Sequence, residues 1–382
     1  MKFNFFHLMP YPHLPEDFDE RYSSPSLTYP NGMFDPQVGV EVYNRYLDEL
    51  EYADELGYDG ICVNEHHQSA YGMMPAPNIM AAALARRTSR AKVMVLGNAI
   101  GLHQYPLRVA EEIAMLDHIS RGRVVSGFVR GIGWEYFNHG ISPVHSRERF
   151  NEAHDLIIKA WTSTEPFEWW GKHYEFRYVN VWPRPLQQPH PDIYIPGAGS
   201  RETMKYCAEK RYTFMSVYAP TPVVKSWFDG YRQAAADLGY EPEPEKIALS
   251  IPIYVAESHE QAHKEAEAHV EFLFHKALKQ GLEIVMPPGY MSEASLRGLL
   301  SSGPRPAFRD LSYQDLVDNG MVIVGNPESV AEQVERLRSE LGFGQIMALM
   351  CIGDTPHERV VRTMELFARD VAPEFRSAPV TA

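Results

Sequence analysis

Apolar and polar positions along this chain follow two alternating rhythms. Short, nearly continuous apolar runs are followed by stretches in which apolar residues recur every three or four positions. The first rhythm suits buried strands and the second suits helices with one core-facing side. The apolar runs predict strands at Lys2–His7, Gly60–Val63, Lys92–Gly97, Val124–Val129, Asp192–Pro196, Thr213–Val217, Ile247–Val255 and Gln345–Cys351. Helical spacing is expected over Val40–Leu56, Asn78–Thr88, Leu107–Ile119, Arg147–Thr162, Pro222–Leu238, Ser258–Leu278 and Pro356–Val371, with another from Ser200 to about Lys210. Gly57 directly after Leu56 is a helix-stop signal, because glycine adopts the left-handed conformation at a C-cap without strain. Glu168–Tyr178 reads as an aromatic hairpin outside the repeat.

Strands that alternate with helices predict the α/β class, and eight of them fit a (β/α)8 TIM barrel better than an open sheet. An open dinucleotide-binding sheet would carry a glycine-rich turn after its first strand, and His7-Leu8-Met9-Pro10 is not one. The whole chain, 1–382, is expected to form one barrel domain with two long loops. Loop 9–35 carries five prolines and three tyrosines, and loop 286–319 is rich in Pro, Gly and Ser. Segments of that length are expected to wall or cover the C-terminal mouth, or to serve packing between subunits.

Composition narrows the partners. A net charge of −14 disfavours nucleic acid, whose phosphates would be repelled. Three scattered cysteines suit a reducing compartment, no zinc spacing occurs, and no run is long enough for a membrane span. A cytoplasmic protein with no metal is expected.

The candidate chemistry sits at strand ends. Asn64-Glu65-His66-His67 follows the second strand, so His66 and His67 are candidate acid/base groups, with Glu65 placed to fix a tautomer. Consecutive residues leaving a strand diverge, so only one histidine should face the mouth squarely. Arg130 emerges from an apolar strand and needs an anionic partner, either a phosphate or an internal carboxylate. Arg147, opening a helix, is a second candidate for the same anion. Gly197-Ala198-Gly199-Ser200 joins a strand to a helix, where small residues and the helix dipole favour a phosphate. Asn98 and Ala99 end the third strand and are expected to line the floor.

In that order, the Glu65-His66-His67 segment, the run Pro106–Arg123 and Arg130-Gly131 resemble the bacterial luciferase-like family of flavin-dependent monooxygenases. The likeness resumes over Arg184–Thr203 and Ile352–Phe375. The resemblance implies a (β/α)8 barrel that binds reduced FMN (FMNH2), with O2 adding at flavin C4a. It implies a two-component monooxygenase served by a separate NAD(P)H:flavin reductase. The aromatic and methionine-rich loops suggest a small, largely apolar organic substrate. It also implies that His66 is the catalytic histidine and His67 its neighbour. Arg130, Arg147, Gly199, Ser200 and Arg201 fall on the phosphate site. Asn98 and Ala99 would pack on the ring, where relatives hold a non-proline cis peptide. Glu111 would lie on the helix used for a homodimer. Two departures, Val129 for a reactive cysteine and Gly197 for an acidic phosphate-loop residue, argue against light emission. The alternatives are F420-dependent oxidoreduction and a non-catalytic flavin-binding partner subunit.

Overall fold

The protein is described here by a computed structural model covering residues 1–293, 295–297 and 307–376. Eight parallel strands close into a ring: β1 (Lys2–Phe6), β2 (Gly60–Val63), β3 (Lys92–Asn98), β4 (Val124–Phe128), β7 (Ile193–Gly197), β8 (Thr213–Ser216), β9 (Ile247–Val255) and β11 (Gln345–Leu349). Each pairs with its chain neighbour, and β11 returns to β1 with Lys2 opposite Gln345. Every ring strand coincides with an expected one. The hairpin is also present as β5 (Phe167–Trp170) and β6 (Glu175–Val179), antiparallel and outside the ring.

The interior is packed rather than open. Cys62 Sγ lies 3.7 Å from Met94 Sδ and 3.9 Å from Met347 Sδ, which places three strands' side chains together across the axis. Below them Tyr194 Oη donates to Gln345 Oε1 at 3.2 Å from the opposite wall. Gly60 is needed there, since a Cβ would come within 2.5 Å of both Asn4 Oδ1 and Met94 Sδ. The three cysteines are free and buried.

Helices cover the outside, with ends close to those expected. Pro36–Leu56 starts from Asp35, whose carboxylate accepts the Gln37 amide, and stops at Gly57 with φ +87°. The long helix beginning at His259 is α-helical to Glu271 and then widens to a π-helical turn over Phe272–Ala277. The last helix does the same after Leu366. Among the elements not expected from the sequence are a strand and a helix before β11. β10 (Ile323–Gly325) pairs only with Ile253–Val255 at the far end of β9, and the helix Pro327–Leu341 follows it.

Loop 9–35 is not structureless. It contains a helical turn at Phe18–Arg21 and a 3-10 turn at Asn31–Met33. Its backbone pairs with the segment after β2 through Tyr11 N–H to Ala70 O and Ala70 N–H to Pro25 O. Loop 286–319 falls partly outside the described residues. Its first part, through Tyr290, lies over the end of β4. Among the described residues no helix is long and apolar enough to cross a membrane.

Candidate active site at the barrel mouth

The strand ends carrying polar residues are brought together by a tight contact between β3 and β4. A Cβ on Gly97 would lie 2.4 Å from the Gly127 backbone, so two glycines are required where the strands converge. The register shifts by a bulge between Val95 and Asn98, and Leu96–Gly97 is a cis peptide. That bond precedes the Asn98-Ala99 position expected from the family resemblance. The Asn98 carbonyl accepts the Val129 amide at 2.9 Å, which latches the two strand ends beside Arg130.

Among the described residues Arg130 does not meet a carboxylate. Its guanidinium lies 3.7 Å from the centre of the Tyr290 ring and donates to Tyr290 O at 2.7 Å and Ser146 Oγ at 3.3 Å. Arg147, half-buried one residue after Ser146, donates to Ser200 Oγ at 3.1 Å. Burial, and then the positive charge of Arg130, lower the Arg147 pKa. Two guanidiniums thus share a corner, and among the described residues neither forms an ion pair with a carboxylate. Glu202 is close enough to act on Arg147 electrostatically, but its own oxygens are engaged by Ser292 and Ser295.

The other wall of this corner is the start of the helix Arg201–Lys210. Ser200 caps it by accepting the Thr203 amide at 3.2 Å. Gly199 has φ +73°, and a Cβ there would stand 2.0 Å from Trp227 Nε1. Any side chain would therefore be strained in the backbone and would collide with the indole. Gly199→Ala is expected to destabilise the fold by about 1–3 kcal/mol, read as a lower urea midpoint. Arg201 is exposed and is not drawn into the corner.

Facing this corner, the two histidines after β2 diverge as expected. His67 Nε2 lies 2.8 Å from Glu65 Oε1, and its ring meets His139 edge-on. Glu65 is buried; Oε2 accepts from Asn98 Nδ2 at 3.1 Å, and His103 Nε2 stands 3.5 Å from Oε1. Burial alone would raise the Glu65 pKa, but the bonds from His103 and His67 outweigh it and hold the carboxyl well below its usual range. His67 responds in the opposite sense: burial pulls it down, and the Glu65 carboxylate more than restores it, leaving it raised.

His66 turns the other way. Its Nδ1 lies 3.3 Å from Glu135 Oε1, and its ring packs against Tyr71 and Trp134. Ala99 is fully buried with Leu102 and Tyr136, behind the Arg130 corner. Buried polar atoms without a partner among the described residues include Asn64 Oδ1, Asn98 Oδ1 and Trp134 Nε1. Asn64 and Asn98 lie at the ends of β2 and β3, and Trp134 lies on the short helix after β4.

Glu135, His103, Trp134, Ser146 and Tyr290 were not singled out from the sequence. Glu135 carried a usable signal, since it lies five positions beyond Arg130 in the same strand-end turn. Tyr290 carried none, because only the fold brings it to Arg130. Two groups of metal-ligand type lie elsewhere. In one, His7 Nδ1 already accepts the Met9 amide and Nε2 faces Glu49. In the other, His145, Glu148 and His173 are joined by Lys172, whose Nζ is 2.7 Å from Glu148. A large surface hollow of about 870 Å³, lined by Glu328, Glu332, Glu335 and Asp370, touches none of these mouth residues.

Residues 23–345 match the luciferase-like monooxygenase family model. The chain is 26% identical over 339 residues to limonene 1,2-monooxygenase of Rhodococcus erythropolis, covering 86% of this chain and 80% of that one. It superposes with a TM-score of 0.76 on the FMN complex of the oxygenating constituent of 3,6-diketocamphane monooxygenase from Pseudomonas putida, at 21% identity and 98% of each chain. An F420-dependent secondary alcohol dehydrogenase shares the fold at a TM-score of 0.67, with 15% identity, 98% of this chain and 99% of that one. With its closed parallel barrel, its mouth of polar strand ends and a family match spanning most of its length, the chain belongs to the luciferase-like monooxygenases and is an enzyme.

Proposed function

We propose that this enzyme is the oxygenase of a two-component system. It takes reduced FMN from a separate NAD(P)H:flavin reductase and transfers one oxygen atom of O2 to a small, largely apolar organic substrate. The observation that carries this reading is the pair of guanidiniums, Arg130 and Arg147, set in one corner with neither ion-paired to a carboxylate among the described residues. Two like charges so placed repel until an anion joins them, and a phosphate monoester bearing two charges is the best match. Ser146, Ser200, the backbone at Gly199 and the start of the Arg201–Lys210 helix complete the grip. Reduced FMN supplies the electrons that activate O2. The residues fit it: the corner takes its phosphate, while Asn64, Asn98 and Trp134 offer unpaired polar atoms to its ring.

The chain's own groups have distinct tasks. Tyr71 and Trp134 pack around His66 and keep water from the reacting centre. His66 Nε2 gives or takes a proton during oxygen transfer, and His67 with Glu65 orients the adjoining segment. The aromatic rings of Tyr71 and Trp134 beside His66 suit an apolar substrate. The barrel, 1–382, acts as one domain. The helix carrying Glu111 would meet a second copy, because Met115 on it and Ile79 on the neighbouring helix expose apolar side chains. Unpaired buried cysteines fit a cytoplasmic setting. F420 is the second reading, since F420-dependent proteins share the fold.

Anaerobic titration of apoprotein with reduced FMN, riboflavin and F420 tests the assignment. Arg130→Ala should weaken reduced FMN by about 2–3 kcal/mol, about 30- to 150-fold, and leave riboflavin unchanged. Equal losses for FMN and riboflavin, or tighter binding of F420 than of FMN, would overturn it.

A further inference from the structure

The turn that delivers Arg130 to the anion corner also delivers a buried acid to the histidine. Gly131, at φ +87°, reverses the chain after β4, and the short helix Gly133–Asn138 follows. Its third residue, Glu135, is 1% exposed. Glu135 Oε2 accepts the Ile132 amide at 2.7 Å, which fixes the carboxylate plane, and Oε1 faces His66 Nδ1 at 3.3 Å. His139 Nδ1 binds the Glu135 carbonyl at 2.7 Å and ties down the far end of the helix. Glu65, the other acid of the mouth, is occupied by His67, His103 and Asn98 and forms no bond to His66. Among the described residues the only polar partner of the His66 ring is Glu135.

The geometry points to Glu135 as the positioning residue of His66: its carboxylate, held on the Ile132 amide, keeps the proton on Nδ1 and turns Nε2 toward the reacting centre. A carboxylate only accepts hydrogen bonds, so in the neutral ring Nδ1 must be the donor and Nε2 the free base. When Nε2 takes a proton, the nearby negative charge stabilises the imidazolium; when Nε2 gives it up, the ring returns to the same tautomer. Protons balance at one atom, Nε2. This assignment deepens the proposed function and rests on it for the reaction, but the tautomer belongs to the apoprotein and can be read without cofactor or substrate.

Glu135→Gln is the informative change because it keeps size and removes one acceptor. A single amide oxygen can hold either the Ile132 amide or His66 Nδ1–H. If it keeps the backbone bond, its NH2 faces Nδ1 and drives the proton to Nε2. The experiment is 15N NMR of histidine-labelled full-length apoprotein, with His66 assigned by its loss in His66→Gln. The same samples are then assayed for coupled product formation against pH and for flavin affinity. The expected result is an Nδ1–H tautomer in the parent and an Nε2–H tautomer in Glu135→Gln. With it, kcat should fall by at least about 100-fold while KM and flavin Kd stay within about two-fold. An Nε2–H tautomer in the parent, or an unchanged tautomer and kcat in Glu135→Gln, overturns the assignment. The expected tautomers in an apoprotein whose parent forms no oxygenated product would uphold Glu135 and bring down the oxygenase reading alone.

Discussion

His66→Ala is expected to bind reduced FMN as the parent does, yet to form product at least about 100-fold more slowly. The O2 it consumes should appear as hydrogen peroxide. The expectation follows from the separation of tasks at the mouth. The anion corner is built from Arg130, Arg147, Ser146 and Ser200, and none of these touches the imidazole. Removing the ring leaves that grip intact and takes away an imidazole nitrogen, Nε2, beside Tyr71 and Trp134. It also leaves a small cavity into which water can enter, and wet sites favour release of peroxide over transfer to an organic acceptor. Oxygen uptake and peroxide yield, measured with and without catalase, read the coupling directly. If product forms at the parental rate with no peroxide, His66 does no proton transfer and serves only as packing against Tyr71.

The barrel was legible because its strands are short, apolar and regularly spaced, so all eight ring strands emerge from the pattern alone. β10 was not, since three residues carry no period, and the ring is already complete without it. The helix Pro327–Leu341 did carry a signal: Asn326-Pro327 opens it, Val330, Val334, Leu337 and Leu341 line one face, and Gly342 ends it with φ +65°. It went unassigned because it lies outside the strand–helix repeat that β9 and β11 complete.

Within the site, strand-end residues were readable by position: Arg130, His66, Asn98 and Ser200 all lie within three residues of a ring strand's end. The divergence of His66 and His67 followed from strand geometry. What the sequence could not supply was pairing across the fold. Glu65 and Glu135 each serve a different histidine, and the Tyr290 ring covers Arg130 from roughly 160 residues away, a distance along the chain that no local pattern spans. Arg201 shows the converse. It sits in the matching stretch of sequence, but the helix turns its side chain to solvent.

Beneath the mouth a second buried acid controls stability rather than chemistry. Glu49 is fully buried; Oε1 accepts from Arg45 Nε at 2.7 Å and lies 2.8 Å from His357 Nδ1, while Oε2 lies 3.0 Å from His7 Nε2. Burial works to raise its pKa, but the bonds from His357 and His7 prevail and bring it down from 4.5 to about 2. A carboxyl with a lowered folded-state pKa adds stability above its unfolded value, and that stability disappears as pH falls through the folded one. The window therefore runs from 4.5 down to about 2, and the contribution above it is about 3 kcal/mol. His357 is raised by the same contact, so its shift is the other face of this interaction and is not added.

Glu49→Gln is expected to lower stability at pH 7 by about 3–5 kcal/mol, because Arg45 stays half-buried without its counter-charge. The loss should reach the site. His7 Nδ1 accepts the Met9 amide at 2.9 Å and Met9 O accepts the Met73 amide at 2.8 Å, so the anchor of Glu49 sets the first residues of loop 9–35 against the segment after His66. Urea unfolding at several pH values checks the assignment. The difference between parent and Glu49→Gln should shrink as the pH falls from 4.5 toward 2. A difference that does not change with pH would mean that the carboxylate charge is not what secures this corner, and that the loop is held by packing of His7 on Tyr46 instead.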